Sequence, residues 1–78
     1  MLEKVIPLTI ASDKKELILV SIEGGWGLRR RLNDMGLHEG SRFRILHSQK
    51  PGPCIIQVKD TRLVIGLGMA HKILVREI

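Results

Sequence analysis

Leu32-Asn33-Asp34-Met35-Gly36-Leu37-His38-Glu39-Gly40-Ser41, entered through Arg29-Arg30-Arg31 and left through Phe43-Arg44-Ile45, decides the fold because it spells a helix, its stop, a turn and the start of a strand. Leu28, Leu32 and Met35 fall at i, i+4 and i+7, so one helix face is apolar and Arg29, Arg30 and Asn33 point away from it. With Met35 as the last half-helical residue, Gly36 takes the left-handed position that glycine occupies at little cost, and Leu37 folds back onto Leu32 in a Schellman arrangement. His38-Glu39-Gly40-Ser41 then turns the chain, Gly40 supplying a positive φ at the third turn position.

Working outward, the segment from Arg42 to Ser48 reads as a strand with Phe43, Ile45 and His47 on one face and Arg42, Arg44 and Leu46 on the other. Cys54 to Lys59 is the next strand, its inward set Cys54, Ile56 and Val58, and Asp60-Thr61 joins it to Arg62-Leu63-Val64-Ile65. Gly66 ends that strand; residues 67–72 have the length of one helical turn, and Ile73 to Arg76 closes the chain as a strand. On the N-terminal side, Glu16 to Ile22 is a strand, and Glu23-Gly24-Gly25-Trp26-Gly27 is a flexible entry to the helix. Val5 to Ile10 is extended, but Pro7 confines it to an edge strand or an irregular stretch. Turns are expected at Ser12-Asp13-Lys14-Lys15 and Gln49-Lys50-Pro51-Gly52. About five short strands with short turns predict a mainly β fold that closes as a small barrel, pairing first and last strands to remove exposed edges.

The stretch Arg29 to Ile45 resembles the signature of the ferrous-iron-transport protein A (FeoA) family, R-L-x-x-[LM]-G-L-x-x-G-x-x-[VIF]. Pro51-Gly52-Pro53 resembles that family's Gly-Pro entry to a strand. Thr61-Arg62-Leu63-Val64-Ile65-Gly66 with Ala70-His71-Lys72-Ile73-Leu74-Val75 resembles its closing T-R-[LI]-A-L…A-x-x-I-x-V. Glu39 stands where the family often has proline and Asp60 where it often has glycine, so both turns are less rigidly encoded. The resemblance implies one FeoA-like domain over residues 1–78, an SH3-like barrel with the short helix inserted in a loop and a one-turn helix before the last strand. It also implies a cytoplasmic accessory protein of ferrous iron uptake, not an enzyme, whose partner is the FeoB-type membrane GTPase transporter. The alternative kept open beside it is a basic small barrel that binds nucleic acid, or a free-standing relative of the SH3-like domain of iron-dependent repressors.

Composition bounds these readings. Seventy-eight residues leave room for one core, and a single Trp, a single Phe and no Tyr make that core aliphatic. The net charge of +5 favours acidic partners without choosing among them. The N-terminus has no signal-peptide pattern, and the longest apolar and glycine run, Leu63 to Ala70, is far short of a membrane span, so no membrane insertion is expected. One cysteine, Cys54, allows no internal disulfide and fits a reducing cytoplasm.

Chemistry-bearing patterns are scarce. His38, His47 and His71 are scattered and share no ligand spacing with Cys54, so neither a metal site nor a cofactor is expected; His47 reads as a partly buried strand residue and Cys54 as a small core residue. Gly24-Gly25-Trp26-Gly27 precedes a helix but lacks the G-K-[ST] ending of a phosphate loop. A stacking platform for nucleic acid needs exposed aromatics, and Trp26 and Phe43 are the candidates, Phe43 being assigned to the core. Trp26 reads equally as an interaction anchor or as a lid over the barrel's open end. The expected partner-binding set is Trp26 with Arg29, Arg30 and Arg42, an apolar anchor beside electrostatic contacts.

Overall fold

A computed structural model describes residues 4–13, 15–49 and 52–78. Six strands run in chain order: β1 Ile6–Pro7, β2 Glu16–Ile22, β3 Arg42–Ser48, β4 Cys54–Val58, β5 Thr61–Ile65 and β6 Ile73–Glu77. Helix α1 spans Trp26–Asp34 between β2 and β3, and the one-turn helix α2 spans Leu67–Ala70 between β5 and β6. All pairings are antiparallel, in the order β1-β6-β2-β3-β4-β5. The sheet therefore has one strand more than the five expected. The sixth is the two-residue β1, held to the edge by Pro7 and followed at once by a 3-10 turn, Leu8–Ile10. The first long strand does pair with the last, Leu17 lying opposite Glu77, but β1 and β5 remain as edges of the ladder. The turns expected around Lys14 and around Lys50-Pro51, and the Pro51 of the Gly-Pro block, lie outside the described residues.

Alternation of buried and exposed side chains follows the strand period and wraps every long strand around one core. Leu17, Leu19 and Ile22 of β2 meet Phe43 and Ile45 of β3, Cys54, Ile56 and Val58 of β4, Ile65 of β5, and Ile73 and Val75 of β6. Apart from Phe43 this core is aliphatic. Two register shifts modify the pattern. In β2 the shift between Leu19 and Ser21 turns Ile22 inward; in β3 the one between Ile45 and His47 adds a residue and reverses the faces beyond it. His47 is consequently exposed, not partly buried beside Phe43 and Ile45, and it pairs with Ile55 across β4.

The helix-stop-turn unit is built as its residues dictate. Leu32 is buried, with Leu28 and Met35 packed against the core at its flanks. Gly36 has φ +94°, the Leu37 N–H donates to the Leu32 carbonyl at 2.8 Å, and the Gly36 N–H donates to that of Asn33 at 3.0 Å. These are the two bonds of a Schellman stop, and both residues of its apolar clasp, Leu32 and Leu37, are fully buried. Gly40 follows at φ +90° in a turn closed by the Ser41 N–H on the His38 carbonyl at 2.9 Å. Between β4 and β5 the two turn residues are Lys59 and Asp60, and Lys59, not Asp60, carries the positive φ, +55°. Thr61 already belongs to β5, so the joint lies one residue earlier than Asp60-Thr61.

Candidate functional site

Trp26 lies in the helix and not in the loop before it. Gly25 is the extended residue that caps α1, and the Arg29 N–H donates to its carbonyl at 3.3 Å, so the first helical turn begins at Trp26. At that position the indole projects into solvent and is 77% exposed, which removes the reading of Trp26 as a lid over the barrel. One turn on, the Arg29 Nε donates to the Ile22 carbonyl at 3.3 Å, bracing the guanidinium stem against the end of β2. Trp26, Arg29 and Asn33 stand at i, i+3 and i+7 and so share one face of α1.

The type II turn that follows faces this stripe. Its backbone is tied to β2 by the Gly40 N–H on the Leu19 carbonyl and the Leu19 N–H on the Ser41 carbonyl, both 2.9 Å. The Ser41 hydroxyl accepts the His38 N–H at 3.0 Å and donates to the Gly36 carbonyl at 3.3 Å, locking the turn onto the helix stop. Helix face and turn thus enclose an open groove of about 360 Å³, lined by Ile22, Trp26, Arg29, Asn33, His38 and Glu39. Its chemistry is mixed: an indole as apolar wall, one guanidinium, one carboxylate and two polar rings or amides. Such a groove accepts a protein side chain flanked by charges, and it presents no nucleophile with an adjacent base.

Of the residues expected to bind a partner, the structure brings together Trp26 and Arg29. Arg30 is exposed on the neighbouring face of α1. Arg42 lines a separate groove with Glu16, Phe43, Arg44, Gln57 and Lys59, and its guanidinium lies 3.8 Å from the Glu16 carboxylate. Asn33, His38 and Glu39 were absent from the expected set. Asn33 is legible once the helix is started at Trp26, because it is then two turns along the same stripe; the turn residues enter only through the tertiary fold.

Among the described residues, no three His, Cys, Asp or Glu side chains gather as a metal site. His38, His47 and His71 are all exposed and lie on different elements. Cys54 is buried on the inner face of β4, as its alternation implies; burial pushes its thiol pKa up, and the nearby Asp13 carboxylate adds to the rise. No helix among the described residues is long and apolar enough to cross a membrane.

Comparison with known proteins bears on the same residues. The family model described as the FeoA domain matches residues 6–77, nearly the whole described chain. A curated relative from Methanocaldococcus jannaschii, named "Putative Fe(2+) transport protein A", is 38% identical over 71 residues, covering 91% of this chain and 85% of the relative. The crystal structure of an iron uptake regulatory protein (FeoA) superposes with a TM-score of 0.88 at 37% identity, over 96% of this chain and all of that one. A manganese-dependent transcriptional repressor superposes equally well, TM-score 0.88, but at 18% identity and over 44% of its own chain, so that likeness is one of fold, the SH3-like barrel.

Proposed function

Because the chain belongs to the FeoA family of Fe(2+) transport proteins, we propose that it serves ferrous iron uptake as a cytoplasmic accessory module, binding the FeoB-type membrane GTPase transporter rather than carrying iron itself. The observation that carries this reading is Trp26. A tryptophan 77% exposed at the start of a helix, with a braced arginine one turn away and a groove between them, leaves a large apolar surface in water that a partner would cover. Arg29 and Arg30 add steering towards an acidic surface, and Arg42, in its own groove, adds long-range attraction.

Nothing comparable supports a nucleic-acid reading. Phe43 is buried, so Trp26 is the sole Trp, Tyr or Phe side chain at the surface, and the exposed histidines lie on separate elements, which leaves no row of rings to form a stacking platform. Surface plasmon resonance against the transporter's cytoplasmic domain tests the proposal. Trp26→Ala is expected to speed dissociation at least ~30-fold, the ~2 kcal/mol of a hot spot, and Arg29→Glu with Arg30→Glu to slow association and flatten its salt dependence. Wild-type kinetics in both folded variants would reject this face, and no binding by the wild type would reject the partner.

A further inference from the structure

β5 ends the sheet, and its pairing with β4 determines which of its backbone groups face outward. Lys59 and Asp60 form a two-residue loop, so the flanking pair Val58 and Thr61 is hydrogen-bonded. Every second pair after it, Ile56 with Leu63 and Cys54 with Ile65, is hydrogen-bonded too. The intervening pairs, Gln57 with Arg62 and Ile55 with Val64, are not, and the N–H and C=O groups of Arg62 and Val64 therefore point away from the sheet. Among the described residues no backbone partner meets them there.

The outer face beside that edge is arranged in two rows. His47, Ile55 and Val64 lie opposite one another across β3, β4 and β5, and Val64 is 65% exposed. The next row is Arg44, Gln57 and Arg62, with Lys59 at the turn beyond it. Two carboxylates border this face, Glu16, which lies opposite Arg44 on β2 and 3.8 Å from the Arg42 guanidinium, and Asp60 in the β4–β5 turn; no ion pair among the described residues engages Arg44, Lys59 or Arg62. An incoming strand would stand ~4.8 Å from β5 with its outward side chains ~6.8 Å apart, the spacing of Arg62 and Val64 themselves.

We propose that this edge takes an extended acidic segment of a partner protein as a seventh, antiparallel strand, with the pattern apolar-x-acidic. The order follows from antiparallel running: the residue opposite Val64 precedes the one opposite Arg62, so an apolar side chain covers Val64 and a carboxylate, two residues later, meets Arg62, while Asp60 at the next outward position disfavours a second carboxylate there. Charge decides against a second copy of this chain. Two-fold pairing of β5 about Leu63 would set Arg62 beside Val64 of the other copy, leave every cation unanswered, and join two molecules each of net charge +5. The surface is distinct from the Trp26 groove and does not depend on the transporter reading.

Titration of the nitrogen-15-labelled full chain with the peptide acetyl-Ser-Thr-Val-Thr-Glu-Thr-Thr-amide tests the proposal. Hydrogen exchange at the amides of Arg62 and Val64 should slow at least tenfold at saturation, and binding should weaken with salt. The reversed sequence, Thr-Thr-Glu-Thr-Val-Thr-Ser, should bind several-fold more weakly. Val64→Pro deletes one outward donor at an edge position that tolerates proline, and it should lower affinity at least tenfold. Arg62→Glu should do the same while leaving the donor in place, and Trp26→Ala should change nothing. Unslowed exchange at both amides overturns the proposal whether or not either variant folds. So does equal binding of the two sequences, a peptide-free dimer that Val64→Pro dissolves, or inorganic tripolyphosphate reproducing the peptide's shifts at Arg44 and Arg62 without protecting the edge.

Discussion

Gly36→Ala isolates what the helix stop contributes to stability. The residue sits at φ +94°, where an L side chain is strained, yet a Cβ built there meets nothing within 4 Å. The penalty is therefore conformational and free of any clash with neighbouring atoms, ~1–2 kcal/mol for alanine and more for Gly36→Val, whose β-branch crowds the backbone further. In a domain of this size each kcal/mol moves the melting temperature by ~4–8 °C, so Gly36→Ala should melt ~4–16 °C lower. Gly36→Asn should fall between alanine and wild type, since asparagine tolerates the left-handed region. Gly27→Ala is the matched control: Gly27 is also open to solvent but lies in the first turn of α1 with no positive φ, and alanine there should raise stability by up to ~1 kcal/mol. Thermal unfolding followed by far-ultraviolet circular dichroism reads all four variants. A Gly36→Ala protein melting within a degree of wild type would refute the Schellman stop, and with it the clasp of Leu32 against Leu37 that seats α1 on the barrel.

Lys59→Gly should stabilise the protein by about 0.5–1 kcal/mol in denaturant unfolding, because Lys59 holds φ +55° in the β4–β5 turn; a loss of stability would mean that its side chain contributes more than the strain costs. Glu77 has its pKa lowered, chiefly by the Ser12 N–H at 3.1 Å on its Oε2; burial opposes this to a lesser degree, and Lys15 adds a smaller lowering of its own. Its folded pKa is depressed, so the stability it contributes is present above its unfolded value and lost as pH falls through the folded one; Glu77→Gln should flatten that part of the acid limb in pH-dependent urea unfolding, and an unchanged limb would remove the interaction. Cys54, buried and with a raised pKa, should react with a thiol reagent in the native protein far more slowly than after denaturation, and equal rates would show that β4 opens readily.

The limits of reading this chain follow from how each feature is encoded. β2 and β3 run over Glu16–Ile22 and Arg42–Ser48, as their alternating apolar residues and flanking turns imply, and the Gly36 and Gly40 turns follow from residue type alone. Those features are local. His47 is exposed because the register of β3 slips against β4, a property of the pair of strands that neither strand shows by itself. Glycines on both sides of Trp26 lower helix propensity and argue for a loop, but tertiary packing of Leu28 and Leu32 outweighs that weak preference and starts α1 at Trp26, capped by Gly25. The same shift changes the functional reading. As a loop residue Trp26 had two equal roles; as the first residue of a helix it shares a face with Arg29 and Asn33, opposite a turn whose position β2 dictates through Leu19. Arg42 separates from that group for a complementary reason: strand alternation places it beside Arg44 on the outer face, where it lies opposite Ile18, reaches diagonally to Glu16 on β2 and borders the row that runs from Arg44 to Arg62. One basic patch inferred from proximity in the chain thus resolves into two surfaces, an aromatic groove on α1 and a charged edge at β5, and the kinetic and exchange experiments above can report on each without disturbing the other.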